Sequence, residues 1–311
     1  MKLCRILIVT IALGFAYGAS AKSCGPEQSH CVAVGEWDFS LGIGLGLRTN
    51  PVINGDEIPL VLIPQLSYYG QRFFIDNLDL GFTLIERPKF QINALLTPGG
   101  DGLYFFRSGW RNIVLDGGLG GNTFSSPEPA TPHENQGPAR VEPQADAPEL
   151  AMGLNVTQRN EVPDHSRRRR IAGMAGLEAS ADLGPVDWQL QLLSDVTGVH
   201  RGEELRFALG HDRYIDQHRI SLAGGLSWKS ADLLEYYYGV RANEATAHTP
   251  TYQPGSGISP FVRVSWSRAV SENWRWQGSF QYDYLSRAVR HSPLIEDNQV
   301  VQVFIGGVYH F

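Results

Sequence analysis

The sequence predicts an all-β fold, a transmembrane antiparallel up-and-down barrel of about 12 strands with one long extracellular loop. Three observations predict it. Apolar and polar residues alternate with period two along most of the chain. The aromatic residues gather toward the ends of these alternating stretches. The chain stops in QVVQVFIGGVYHF, an alternating strand whose last residue is Phe311.

The first residues combine Lys2 and Arg5 with an apolar run from Ile6 to Tyr17 and the small residues Ala19, Ser20 and Ala21. This is the pattern of a secretory signal peptide, over residues 1–21, which implies export across the inner membrane. The run is shorter than the roughly 20 residues a membrane-spanning helix needs, and no later stretch comes closer, so a helical membrane protein is excluded. Residues 22–35 read as a periplasmic N-terminal segment and 36–311 as the barrel. Within the former, Cys24 and Cys31 stand close together in CGPEQSHC. In an oxidising periplasm they are a disulfide candidate, with two unpaired thiols as the plainer alternative. His30 alone does not complete a zinc set with them.

From Trp37 the odd positions run Trp37, Phe39, Leu41, Ile43, Leu45, Leu47, against Asp38, Ser40, Gly42, Gly44, Gly46 and Arg48. The glycines read as small lumen-facing residues, because no helix follows them as a phosphate loop would require. Further strands are expected near 57–69, 72–86, 89–97 and 110–116. About residues 117–170 the alternation stops, and the portion SSPEPATPHENQGPARVEPQADAPE is rich in Pro, Glu and Ala. Such composition cannot bury enough apolar surface to order itself, so this is the long extracellular loop. It ends on Arg167, Arg168, Arg169 and Arg170, candidates for contact with lipopolysaccharide phosphates. A solvated charge run at the loop base is the alternative reading.

Alternation resumes near 171–183, 186–196, 203–212, 218–229, 257–269, 273–285 and 299–311. Helical spacing is absent. A soluble sandwich or lipocalin-like barrel also alternates. Against it stand the aromatic girdles, drawn from Tyr68, Tyr69, Phe73, Phe74, Tyr236 to Tyr238, Trp274 and Trp276, and a polar face of the kind that suits a wet lumen. Arg263, Arg275, Gln277 and Asp283 are the lumen candidates on that face. In the last strand Val301, Val303, Ile305, Gly307, Tyr309 and Phe311 form the apolar series, and Tyr309 with Phe311 resembles the signal read by the outer-membrane insertion machinery. The expected place is the outer membrane of a Gram-negative cell, among its lipids and lipopolysaccharide.

The stretches EWDFSLGIGLGL (36–47), IPLVLIPQLSYYGQRFFID (58–76), LDLGFTL (78–84), SDVTGVHRG (194–202), EYYYGV (235–240), SPFVRVSWSR (259–268) and GGVYHF (306–311) together resemble the MltA-interacting protein (MipA/OmpV) family of outer-membrane proteins. The resemblance implies a scaffold joining a lytic murein transglycosylase to a peptidoglycan synthase; other members are discussed as adhesins or in connection with antibiotic uptake. It brings no catalytic residues.

The formal net charge of −6 provides no basic field for nucleic acid. His200, Glu203, Glu204, His211, Asp212 and His218 fall in one region. Hydrolysis needs a histidine held beside a nucleophile, and spacing along two strands does not give that, so they read as lumen and loop polar groups. No catalytic residue, cofactor or metal is expected. The sequence reading therefore leads to a non-enzymatic scaffold, with a narrow channel or a surface adhesin as alternatives.

Overall fold

The computed structural model describes residues 35–105, 169–246 and 249–311. The expected signal segment, Cys24, Cys31, Arg167, Arg168, the expected strand at 110–116 and most of the expected long loop lie outside the described residues. Twelve strands close into an antiparallel barrel, each paired with its sequence neighbour and the last paired with the first.

Strand β1 is Trp37–Arg48. Strand β2 comes in two pieces, Ile58–Pro59 and Leu62–Tyr69, both paired to β1. Between the pieces the register against β1 shifts by one residue, bridged by the Leu60 N–H on the Gly46 carbonyl and the Gly44 N–H on the Val61 carbonyl. The stretch 72–86 reads as one strand in the sequence, but the structure folds it into a hairpin of β3, Phe73–Asp76, and β4, Asp79–Arg87. Asn77 makes the turn with φ of 55°, in the left-handed region that asparagine tolerates, and its Oδ1 accepts the Leu66 N–H. The hairpin is why twelve strands are complete without residues 110–116.

Strand β5, Phe90–Pro98, leads into a 3-10 turn at Gly100–Phe105. There follow β6, Gly173–Asp182; β7, Asp187–Asp195; β8, Glu203–Ile215; and β9, His218–Lys229. After helix α1, Ala231–Tyr238, come β10, Gly257–Ala269; β11, Trp274–Tyr284; the single turn α2, Arg287–Arg290; and β12, Gln299–His310.

Exposure alternates as the sequence does. On β1 Trp37, Phe39, Ile43, Leu45 and Leu47 are exposed, whereas Ser40, Gly42 and Arg48 are buried. Trp274, Trp276, Phe280 and Tyr284 on β11 and Val303 and Ile305 on β12 continue the apolar outer surface. A belt of this kind is stable only against lipid. The glycines of the closing seam have a packing reason. A Cβ on Gly44 would lie 2.3 Å from the Ile305 carbonyl oxygen and 2.8 Å from the Phe304 ring, and one on Gly306 would lie 2.4 Å from the Ile43 oxygen. The buried ring of Phe304 therefore lies where side chains would otherwise stand.

Apart from the two-residue β3–β4 turn, the hairpin connections at one end are short and those at the other are longer, which marks the outer face. There the chain builds a cap. Val52, Leu95, Tyr104, Met174, Leu193, Leu233, Leu234, Tyr237, Tyr238, Val289 and Val300 form one apolar cluster. Tyr236 to Tyr238, expected in a lipid girdle, belong instead to α1, and Tyr237 and Tyr238 are buried in this cluster. Likewise Tyr69 and Phe74 sit at less exposed positions of β2 and β3, stacked with centroids 6.0 Å apart.

Candidate functional site

Two levels of the barrel interior matter: the polar lumen and the cap above it. Because inward residues on adjacent strands stand opposite one another, ladder register converts into rows of side chains round the wall. One row runs Thr83, Asn93, Glu178, Gln191, Arg206, Ser227, Ser259, on β4 through β10. It is knit by hydrogen bonds. Glu178, 9% exposed, accepts from Asn93 Nδ2 at 3.0 Å and from Gln189 and Gln191 Nε2 at 2.7 Å each. Gln91 donates to Thr83 and Asn93. Arg206 pairs with Glu204 at 2.8 Å and donates to Gln191, while Ser227 donates to Glu204. Polar groups held in this way repay their desolvation and stiffen the wall.

A second row runs Arg48, Gln302, Gln281, Arg263, on β1, β12, β11 and β10. Arg263 Nε donates to Gln281 Oε1 at 2.9 Å, and Gln281 Nε2 donates to both oxygens of Asp283. Arg263, Arg275, Gln277 and Asp283 all stand at the inward, half-buried positions of β10 and β11, Arg263 and Arg275 each between two exposed outward neighbours. Arg275 lies near the other end of the barrel, against His310, whose Nδ1 is 3.6 Å from Asp38.

The cap is tied to these walls by ionic and polar bonds. Asp101 in the 3-10 turn receives Lys229 Nζ at 2.5 Å on one oxygen and the Tyr238 hydroxyl at 2.5 Å on the other. Arg48 donates to the Tyr104 hydroxyl at 2.8 Å, and Asn50 Nδ2 to the Tyr104 carbonyl at 3.0 Å. Burial pushes the Tyr104 phenol up, and burial together with the Asp101 charge pushes Tyr238 well up, so both stay protonated. Ser292 Oγ donates to the Tyr238 carbonyl at 2.6 Å, joining α1 to the connection after β11.

Between β7 and β8 the chain turns on one carboxylate. Asp195 accepts from the N–H groups of Thr197, Gly198, His200 and Arg201 and from the Thr197 hydroxyl. This accounts for the DVTGVHRG string, since Gly198 has φ of 70° and Arg201 φ of 57°. His200 Nδ1 accepts the Gly202 N–H at 2.9 Å, and the ring packs on Tyr236 and Tyr237 of the cap. Burial pulls the His200 imidazole below its ordinary value, keeping it neutral.

The acid and base residues singled out in the sequence are not brought together. His200 and Glu204 are at the capped end. His211 contacts the Pro185 carbonyl in a short turn at the opposite end, Asp212 pairs with Arg219, and His218 accepts from the Trp266 indole. Arg169, 6% exposed, is turned onto Glu244 with oxygen distances of 2.8 and 3.0 Å, and that bond holds the Glu244 carboxyl below its usual range. Arg170 is exposed, its N–H bonded to the Tyr236 hydroxyl. Tyr309 and Phe311 lie at the rim with Phe39 and Trp274 in one chain of ring contacts 4.9–5.2 Å apart. The cap was not legible in the sequence; its only local mark is Ser230, whose Oγ caps α1 by accepting the Leu233 N–H.

Known proteins share this chain's pattern. The model of the family described as MltA-interacting protein MipA matches residues 41–311. Outer membrane protein Omp26La of Vibrio anguillarum is 25% identical over 154 residues, 49% of this chain and 59% of that protein. The MltA-interacting protein of Escherichia coli K12 is 32% identical over 88 residues, 28% of this chain and 36% of its own length. The matched segment thus spans less than two thirds of these curated relatives. Among solved structures, a NanC porin is 10% identical, covering 88% of this chain and 99% of that one, with a TM-score of 0.35.

Proposed function

This chain belongs to the MipA family of outer-membrane proteins, and from that premise we propose that it is a scaffold of the outer membrane that holds a murein transglycosylase of the MltA type near the peptidoglycan, with no chemistry of its own. The observation that carries the reading is the family match over residues 41–311, together with the name of the Escherichia coli relative, MltA-interacting protein. The architecture agrees with it. Apolar cap residues and charge-assisted bonds occupy the outer mouth, so the rigid rims are what a partner meets.

The rim opposite the cap is the face such an enzyme reaches. It presents the connections at residues 70–72, 88–89, 183–186, 216–217 and 270–273. A cell-wall synthase is the second partner that a scaffold of this type would hold. The test is co-purification: crosslinked envelopes are solubilised, the barrel is captured, and murein hydrolases and synthases are identified by mass spectrometry. Specific recovery of a transglycosylase is expected. Its absence after crosslinking, with the barrel itself recovered folded, would overturn the proposal.

A further inference from the structure

The 3-10 turn after β5 reaches two strands that it does not adjoin. Its Asp101 bonds Lys229 at the end of β9, and its Tyr104 bonds Arg48 at the end of β1. Round the closed ring of twelve, β1, β5 and β9 stand four strands apart from one another. Four strands span about 19 Å along the wall, farther than one side chain extends, so the turn lies over the lumen and not on its edge. Helix α1 crosses the mouth as well. Its Tyr238 hydroxyl meets the same Asp101, its Tyr237 hydroxyl donates to the Arg170 carbonyl ahead of β6, and the Tyr238 carbonyl accepts from Ser292 in the connection before β12. Leu233, Leu234, Tyr237 and Tyr238 are each at most 2% exposed.

Below this layer the wall is polar: the inward residues Gln277, Ser279 and Gln281 of β11 are half-buried. At the opposite rim the connections between strands are two to four residues long, too short to cover the barrel. An apolar layer set over a polar lumen shuts a pore by excluding water from the constriction. The layer is fastened by a small number of bonds, and one carboxylate carries two of them. Asp101 holds the wall through Lys229 with one oxygen and the helix through Tyr238 with the other. We infer that the barrel is a pore for small hydrated ions, held shut at its outer mouth by this cap, with Asp101 as the latch. This does not depend on the scaffold reading, which concerns the opposite rim.

The test measures potassium chloride current through the full-length protein in planar bilayers. Wild type is compared with Asp101→Ala and with Asp212→Asn, a control that breaks the Arg219 pair near the far end of the barrel. Wild type and Asp212→Asn are expected to stay shut apart from rare, brief openings. Asp101→Ala is expected to raise the open fraction by about tenfold or more. Heat-modifiable migration on a gel reports whether each variant is folded, and amide exchange in α1 reports whether the cap is released. Should Asp101→Ala misfold or leave α1 protected, Leu234→Asp sets a charge at a fully buried position and forces the helix out. A folded barrel with α1 released and no current would overturn the inference. So would a wild type that conducts as freely as Asp101→Ala, equal opening in Asp212→Asn, or an α1 that stays protected in both cap variants. Capture of a transglycosylase leaves it untouched either way.

Discussion

Asp101 and Lys229, 128 residues apart in sequence, meet at 2.5 Å where the cap rests on the barrel wall. Asp101→Ala leaves the buried ammonium without that counter-charge and frees the Tyr238 hydroxyl, which loosens the cap by about 3 kcal/mol. Amide hydrogen exchange should accelerate in residues 100–105 and in α1. The strand ladders should keep their protection, because the barrel closes without the cap. Unchanged exchange in α1 would show that apolar burial alone holds it.

At the seam the control is built in. Gly44→Ala drives a Cβ to within 2.3 Å of a carbonyl oxygen, whereas at Gly224 the nearest atom would be 3.6 Å away. The first substitution should destabilise the barrel by about 1–3 kcal/mol and the second by far less. Urea unfolding in lipid vesicles, compared between the two variants, reads the difference.

His200 makes stability depend on pH. Its folded value is depressed from 6.5 by burial, so below that pH the unfolded chain takes up a proton that the folded chain refuses. The contribution is therefore complete above the ordinary value and declines as pH falls through it and below. Protection against amide exchange in the 196–202 connection, taken relative to the intrinsic rate at each pH, should fall between neutral pH and pH about 5, and His200→Phe should flatten that response. An identical slope in the variant would assign the effect to another group.

Phe311 is 70% exposed, but its N–H bonds to the Phe39 carbonyl at 3.0 Å and its ring lies 5.0 Å from that of Phe39. Deleting it should slow insertion into vesicles while the folded barrel, once formed, keeps its heat-modifiable migration. Wild-type insertion kinetics would remove the insertion role expected for the terminal aromatic residue.

The wall was legible in the sequence because facing is a local property: successive side chains point to opposite sides, so Trp274 and Arg275 declare lipid and lumen between them. The β3–β4 hairpin was missed because its turn, Asn77 and Leu78 between Asp76 and Asp79, carries no glycine or proline. The cap was missed for a different reason. Tyr236 to Tyr238 have the same composition as an aromatic girdle, and what distinguishes them is a carboxylate on Asp101, 137 residues from Tyr238. Arg169 shows the same limit, since its partner Glu244 is 75 residues away. Rows such as Thr83 to Ser259 depend on register across seven strands, which no single strand encodes.

The pairing of Ser40 with His310 has a kinetic consequence. Every other wall contact joins strands that follow one another, so the sheet can grow hairpin by hairpin. The seam alone brings together opposite ends of the chain, and the entropy of closing so long a loop falls on that one step. Until it occurs, β1 and β12 are two bare edges with unsatisfied N–H and C=O groups, unacceptable in lipid and prone to pair with other chains. Seam contacts therefore bear on the rate of closure as well as on stability. Phe304 over its glycines, and Phe311 on Phe39, are the contacts that end the period of exposure.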